Sequence, residues 1–323
     1  MENTNPWSKI GQDVKGETNV QNALVKAGLD WNVKKVPMFF NGIDGVTTIS
    51  DNFLNIRKDN QKQLGVVGNR YQIIQNTEAF EFMDRLFENH ELEIDNCGSM
   101  NGGKRVWLQA KVPETIEIIK GDPIEKYVLI YNSHDGSSGM GVCFTPLRIW
   151  CSNMLRSTVK GAKRKIVLKH TPNFRSKLNE AQEILGVTTH YYNMFVEEMK
   201  YLSERIANTE ITKIFVDRLI PLSESKQEGS INRTRQARHD LHRLVESGRG
   251  TSVKGVRGTT YGLYNAAVEY AQYNKRVKGK DLSEVDKVSK RMISMTFDGS
   301  LDKFCINAEK LALEAANGTL FCF

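Results

Sequence analysis

Arg105-Val106-Trp107-Leu108-Gln109-Ala110-Lys111-Val112, followed further on by Tyr127-Val128-Leu129-Ile130-Tyr131, decides the fold class. In the first string Val106, Leu108 and Ala110 fall on one side of an extended chain, the period of a half-buried strand. The second is a dense apolar run of strand-forming residues. Between and around them, Leu92 to Trp150 reads as β throughout. Asn101-Gly102-Gly103 supplies hairpin chemistry ahead of Arg105. Ser133-His134-Asp135-Gly136-Ser137-Ser138-Gly139 is a loop rich in turn formers. Val142 to Trp150 is one more strand, and Pro146, with no amide hydrogen to donate, predicts an edge or a bulge within it.

Towards the N-terminus, Val33, Val36, Met38 and Phe39 predict a strand, with turn chemistry at Asn41-Gly42 and Asp44-Gly45. Residues 46–49 and 53–57 complete a hairpin, and Leu64 to Val67 continues the β pattern. Asn76 is expected to cap a helix from Thr77 to about Asn89 whose stripe of Ala79, Phe82, Met83, Leu86 and Phe87 packs in the core. Residues 1–30 read as a polar, loosely structured lead-in holding a short helix at Val20 to Ala27.

Towards the C-terminus the character changes after Trp150. Cys151-Ser152-Asn153 reads as a strand-to-helix corner, with Met154, Leu155 and Val159 on a short helix. Leu178, Ala181, Leu185, Tyr192, Phe195, Met199, Leu202 and Ile206 recur at helical spacing and predict one long helix from Arg175 to Asn208. Thr209 is expected to cap the next, which Pro221 ends. Further helices are expected over 231–247, 259–276 and 302–316. The fold class is therefore α+β, an antiparallel β-rich N-terminal half followed by a helical C-terminal half. Three stretches follow: a lead-in over 1–30, a β-rich core over 31–172 and a helical region over 173–323.

Composition narrows the function classes. The 323 residues carry 45 Lys and Arg against 38 Asp and Glu, a formal charge of +7. No run approaches the roughly 20 apolar residues of a membrane span, and the first residues lack the basic start and apolar run of an export signal. A cytoplasmic protein with no membrane partner is expected. The cysteines, Cys97, Cys143, Cys151, Cys305 and Cys322, are odd in number, widely spaced and form no C-x-x-C pair, so reduced thiols are expected in place of a zinc ribbon. The six histidines are scattered, and His239-x-x-His242 lacks a fitting acid, so neither metal nor cofactor is expected. His134-Asp135 is the most enzyme-like pair, a base beside an orienting carboxylate. With no nucleophile nearby, its alternative is an Asx-type turn with His134 bonded to a neighbouring strand. No enzymatic activity is assigned.

The sharpest signal is charge distribution. Arg156, Lys160, Lys163, Arg164, Lys165, Lys169, Arg175 and Lys177 fall in one stretch without an acid. Like charges so close repel unless a polyanion supplies the counter-charge, and released counterions then drive binding. The alternative is a solvated basic loop. A second cluster, Arg233, Arg235, Arg238, Arg243, Arg249, Lys254 and Arg257, is opposed within its span only by Asp240 and Glu246. Its segment 247–258 is rich in glycine and can bring amides and cations close to phosphate, although it is not a P-loop. Tyr261, Tyr264, Tyr270 and Tyr273 lie nearby and could stack on bases, but their spacing favours core packing.

Five strings carry a resemblance: Tyr71-Gln72-Ile73-Ile74-Gln75-Asn76, leading into Glu78-Ala79-Phe80; Gly102-Gly103-Lys104-Arg105-Val106-Trp107; Asn132-Ser133-His134-Asp135-Gly136-Ser137; Thr145-Pro146-Leu147-Arg148-Ile149-Trp150-Cys151-Ser152-Asn153-Met154-Leu155; and Gly258-Thr259-Thr260-Tyr261-Gly262-Leu263-Tyr264-Asn265-Ala266-Ala267-Val268-Glu269-Tyr270. Together they resemble the phage/plasmid-like protein family, domain of unknown function 932, over about residues 65–275. Trp150 and Ser152 stand where smaller or amide residues are more usual. The resemblance implies carriage on phages, plasmids or integrated elements and marks Asn132, His134, Asp135, Gly136, Asn153, Tyr261 and Asn265 as motif residues. In outline the chain is also similar to single-strand annealing proteins of phage recombination. Arg148, on a strand, needs either an internal acid or a phosphate. The expected function is single-stranded DNA binding or annealing in recombination or replication, as a homo-oligomer. Arg148, Arg156, Lys160, Lys163, Arg164, Lys165, Lys169, Arg249, Lys254 and Arg257 are its expected contacts. The alternative is a factor that binds a host protein, countering defence or modulating replication.

Overall fold

In a computed structural model of the protein the described residues are 5–43, 45, 47–88, 91–148, 153–155, 165–174, 176, 188–224 and 227–321. Their elements begin with β1 (Gln12–Asp13), α1 (Val20–Lys26), β2 (Val33–Asn41), β3 (Thr47–Arg57) and β4 (Gln63–Gly68). Next come α2 (Asn76–Phe80), α3 (Asp84–Glu88), β5 (Glu93–Met100), β6 (Arg105–Glu117), β7 (Pro123–Ser133), β8 (Met140–Arg148) and β9 (Lys165–Leu168). The helical half holds α4 (Thr188–Ser203), α5 (Thr209–Leu219), α6 (Glu228–Ser247), α7 (Thr260–Glu269), α8 (Glu284–Thr296) and α9 (Ser300–Ala316). This is the α+β order expected, antiparallel sheet first and helices after.

Two sheets form. One runs β1-β5-β6-β7-β8-β9 and the other β2-β3-β4. The register across β6 and β7 places Leu108 opposite Ile130 and Ala110 opposite Val128. Alternation along β6 predicts one covered face, yet both are covered: Trp107 and Gln109 are as fully buried as Val106 and Leu108. On the Trp107 face lies the N-terminal segment. The Trp7 ring sits 5.0 Å from Trp107, and Asn5 Nδ2 donates to Gln109 Oε1 at 2.6 Å. The lead-in is therefore part of the core, and Trp7, Val14, Val20, Ala23 and Leu24 are all fully buried. On the other face, Tyr191 and Tyr192 of α4 pack against Phe144, with ring centroids 5.4 and 6.1 Å away. One contiguous apolar core runs from this sheet into α4, α7 and α9.

Several boundaries differ from expectation. Gln75, not Asn76, is the N-cap of α2, and the expected helix to 89 is broken by a 3-10 turn at Glu81–Met83. Asn76 instead points inward and donates to the Leu29 carbonyl at 2.7 Å. Residues 153–155 are not helical. They return beside β8, with Met154 bridged to Leu147. Pro146 sits beyond the reach of β9, which pairs only with Met140 to Cys143, but it occupies neither an open edge nor a bulge: the β7–β8 register runs through it unshifted, and on its other side the Leu155 amide donates to its carbonyl at 2.8 Å. The helix ending at Ser203 stops short of Asn208, whose side chain accepts from Ile211 N and caps α5. β9 lay hidden in the basic run, and α8 was missed although Ser283 and Asp286 write a full capping box before it.

Beyond Asn52, β3 has lost β4 and only the β2–β3 hairpin continues, pairing Phe39 with Ile49 and Asn41 with Thr47. Phe39 and Phe40 on this arm are more than half exposed, and Ile43 is fully so.

Candidate nucleic-acid interface and the motif residues behind it

β8 ends in Arg148, whose side chain turns inward and is fully buried. Its partner is an internal acid, which removes Arg148 from the expected phosphate contacts. Nε donates to both Asp122 oxygens at 3.0 and 2.9 Å, and Nη2 lies 2.8 Å from Oδ2. Nη1 donates to the Gly250 carbonyl at 2.6 Å and to Asn265 Oδ1 at 2.7 Å. Burial pushes the Asp122 carboxyl above its usual range even with Arg148 and the Tyr261 hydroxyl holding it down.

The remaining motif residues converge on the same point. Asn153 O accepts from the Arg148 amide, and its Nδ2 donates to the Asn265 carbonyl at 3.3 Å. Asn265 Nδ2 donates to Tyr261 O, and the Tyr261 hydroxyl donates to Asp122 Oδ2 at 3.3 Å. One turn along α7, Glu269 accepts the amides of Arg249 at 3.1 Å and Gly250 at 2.7 Å. A Cβ on Gly250 would lie 2.7 Å from Asn153 Nδ2, so glycine is required by space there. Two motif strings distant in sequence thus form one buried junction that fixes the root of the basic loop. Tyr261, Tyr264 and Tyr270 are buried, as the spacing favoured, and none of the three offers a face for base stacking.

The His134-Asp135 pair separates. His134 is fully buried, with Nε2 2.8 Å from Asn76 Oδ1. Because the Asn76 amide nitrogen is used on Leu29, its oxygen accepts and Nε2 carries the proton. Nδ1 then has no partner among the described residues, and burial depresses the imidazole to about 3. Asp135 turns the other way, accepting from the Ser137 amide at 2.9 Å and the Ser133 hydroxyl at 2.6 Å, with Arg105 Nη2 at 3.3 Å. Burial raises its carboxyl, but these partners outweigh that and hold it below the usual range. The Asp135 bond to Ser137 N is the Asx-type turn. Asn55 Nδ2 of β3 donates to the His134 carbonyl at 2.8 Å, and Asn132 Nδ2 to the Ile74 carbonyl at 3.0 Å. Gly136 supplies the left-handed residue at φ 75°. The loop joins the two sheets: a Cβ on Gly65 of β4 would meet the Asp135 backbone at 2.5 Å.

Of the first basic run, Arg156, Lys160, Lys163, Arg164, Arg175 and Lys177 lie outside the described residues. Lys165 is half-buried, donating to the Thr296 carbonyl at 2.7 Å with its ammonium 5.2 Å from the Tyr131 ring centroid, so it serves the fold. Lys169 is exposed. The second cluster stands in the open. Arg233, Arg235, Arg243, Arg249, Lys254 and Arg257 are all exposed, and none has a carboxylate partner among the described residues. Arg238 does, pairing with Asp217 at 2.7 Å. Arg235, His239 and Arg243 fall four residues apart, so they share one stripe of α6 leading to the loop that bears Arg249.

A cleft of about 740 Å³ between the N-terminal segment and the large sheet has the opposite sign, being lined by Asp13, Glu17, Glu93, Asp95 and Glu125 against Lys15 and Lys111. Among the described residues no three His, Cys, Asp or Glu come together as a metal site. Cys97, Cys143 and Cys305 are buried. No helix among the described residues is long and apolar enough to cross a membrane.

Of the two acids of the junction, sequence reading passes over Asp122 and quotes Glu269 within the last motif string without giving it a role. Gly121-Asp122-Pro123 reads only as a turn, and an acid's partner is not visible until the chain folds. No curated protein and no solved structure matches the chain. The family model described as domain of unknown function (DUF932) matches residues 63–294, the span that contains the junction, the sheet-joining loop and the whole exposed basic cluster. The chain belongs to that family.

Proposed function

We propose that the protein binds nucleic acid, single strands in preference, through the exposed cations of α6 and the loop that follows it. One observation carries this reading: Arg233, Arg235, Arg243, Arg249, Lys254 and Arg257 stand solvent-facing and, among the described residues, unmatched by carboxylates. A surface left unneutralised in this way is completed by a polyanion, and counterion release supplies the free energy. The basic residues of 156–164 would extend the same grip. A role in annealing during recombination or replication of a mobile element, as an oligomer in the bacterial cytoplasm, is the setting that fits such binding.

Fluorescence anisotropy of a labelled single-stranded oligonucleotide tests it. With six cations each neutralising one phosphate, the slope of log affinity against log salt is about −4, which makes affinity fall roughly 250-fold between about 50 and 200 mM salt. Absence of measurable binding at the lower salt would remove the proposal. A second reading, docking on a host protein, is favoured by the exposed Phe39, Phe40 and Ile43 of the hairpin arm. A host partner retained after nuclease treatment, and lost on Phe40→Ser, supports that reading.

A further inference from the structure

The small sheet has two faces, and the one turned away from the core is apolar as well. Register puts Val36, Leu54 and Val66 side by side across its three strands, with Lys34 and Ile56 the next pair towards the base. Met38 and Phe40 continue the same side of β2 at alternate positions. The opposite side carries the buried Val33, Asn55 and Val67, and Arg57 there lies 4.3 Å over the Trp31 ring. Phe40 and Val66 are 54 % and 53 % exposed. Val36, Met38, Leu54 and Ile56 are half-buried, yet among the described residues none of them packs against the core. An antiparallel sheet with one face on a core normally turns polar side chains outward. Here Lys34 is the one ion in the row.

Charge runs along this face in one sense. Lys34, Lys58 and Lys62 stand exposed at its base, while residues 38–52 hold Asp44 and Asp51 and no cation. Two such faces, laid together about a twofold axis that crosses the strands, set each arm against the other copy's base, so that acids meet lysines. Laid parallel, they would oppose like charges. Sheets pack face to face with their strands aligned to within about 30°, so an apolar sheet face is its own complement. Three strands about 4.8 Å apart, the longest edge taken as nine residues of about 3.3 Å, span roughly 14 by 30 Å. Two such faces with their arms remove on the order of 1,000 Å², the lower limit for a specific interface. The cover is needed whenever the chain is present, because an open apolar sheet aggregates, and a second copy is always at hand.

We infer that the outer face of β2-β3-β4 is a homodimer interface, on which two copies pack antiparallel through Val36, Phe40, Leu54 and Val66. It needs no nucleic acid and so stands apart from the polyanion surface. It also occupies the arm that the host-protein reading would use.

Sedimentation velocity of the full chain, free of nucleic acid, tests this from about 1 to 200 µM, where the expected result is a reversible dimer with a Kd of roughly 10 µM. Val66→Lys, at an exposed position, should weaken the dimer at least about a hundredfold by placing unpaired charge in the apolar face. Its melting temperature should equal the parent's at about 1 µM, where both are monomeric. Lys34→Glu and Asp51→Lys should each weaken the dimer about fivefold, and the two combined in one chain should restore it. A chain monomeric throughout the range overturns the inference, as does a dimer indifferent to Val66→Lys or a charge swap that fails to restore. A monomer that retains a host protein, lost on Val66→Lys, gives the face to the host-protein reading and likewise overturns it. A dimer with no affinity for an oligonucleotide keeps the interface and discards the polyanion surface; oligonucleotide binding by a monomer does the reverse.

Discussion

Replacing Arg148 by Met should be among the most damaging single changes in the chain. The guanidinium is fully buried and meets the Asp122 carboxylate through Nε and Nη2, while Nη1 satisfies the Gly250 carbonyl and Asn265 Oδ1. Methionine fills much of the volume but leaves Asp122 buried beside only a tyrosine hydroxyl at 3.3 Å. Breaking a buried pair by removing one partner costs about 3–5 kcal/mol, chiefly the penalty of the orphaned charge. With a urea dependence of roughly 3 kcal/mol per molar, the unfolding midpoint should fall by about 1 to 1.7 M. Urea titration followed by tryptophan fluorescence measures this directly. Asp122→Asn should cost a similar amount. Arg148→Met combined with Asp122→Leu should recover much of the loss, because no buried charge then remains. A midpoint shift under about 0.3 M for Arg148→Met, at the same dependence on urea, would refute the assignment of Arg148 to an internal junction.

Three further outcomes follow from the geometry. Arg249→Ala, Lys254→Ala and Arg257→Ala together should lower the magnitude of the salt slope for single-stranded DNA by about 2 without changing stability; an unchanged slope places the binding surface elsewhere. His134, held neutral by burial, and His170, depressed by the same cause, bind protons more readily unfolded than folded. Stability is therefore full above about pH 6.5 and declines below it, by at most about 1.4 kcal/mol per pH unit for each group. His134→Gln should flatten the fall of the urea midpoint between pH 6.5 and 4.5, and an equally steep profile would count against a buried neutral imidazole. Gly65→Ala puts a methyl 2.5 Å from the Asp135 Cα, so the small sheet must move off the loop at a cost of about 1–3 kcal/mol; a melting temperature equal to the parent's would contradict that contact.

The strands and most helices are legible because their signal is local. Val106, Leu108 and Ala110 alternate, and Phe215, Val216 and Leu219 keep a helical period that Pro221 ends. What local pattern conceals is who covers whom. Trp7 lies in a polar segment and reads as a stray aromatic until it meets Trp107. Asn76 has the chemistry of a cap, yet it bonds inward to Leu29 and His134, because tertiary partners outbid the local one. Ile166 and Val167 sit among lysines, so composition hides β9. The motif residues stand out as strings, but whether Arg148 meets an acid or a phosphate depends on Asp122, 26 positions away. The exposed cluster is easier to read, since charge without opposing charge needs no partner to be seen.

Gly250 is restrained at both ends of its peptide geometry, its amide by a carboxylate and its carbonyl by a guanidinium. Arg249 consequently springs from an immobile root, and capturing a ligand there surrenders side-chain rotamers but little main-chain entropy. Association should thus depend on shape already present before contact, with the backbone of that corner giving the same amide exchange rates in the free and the bound state.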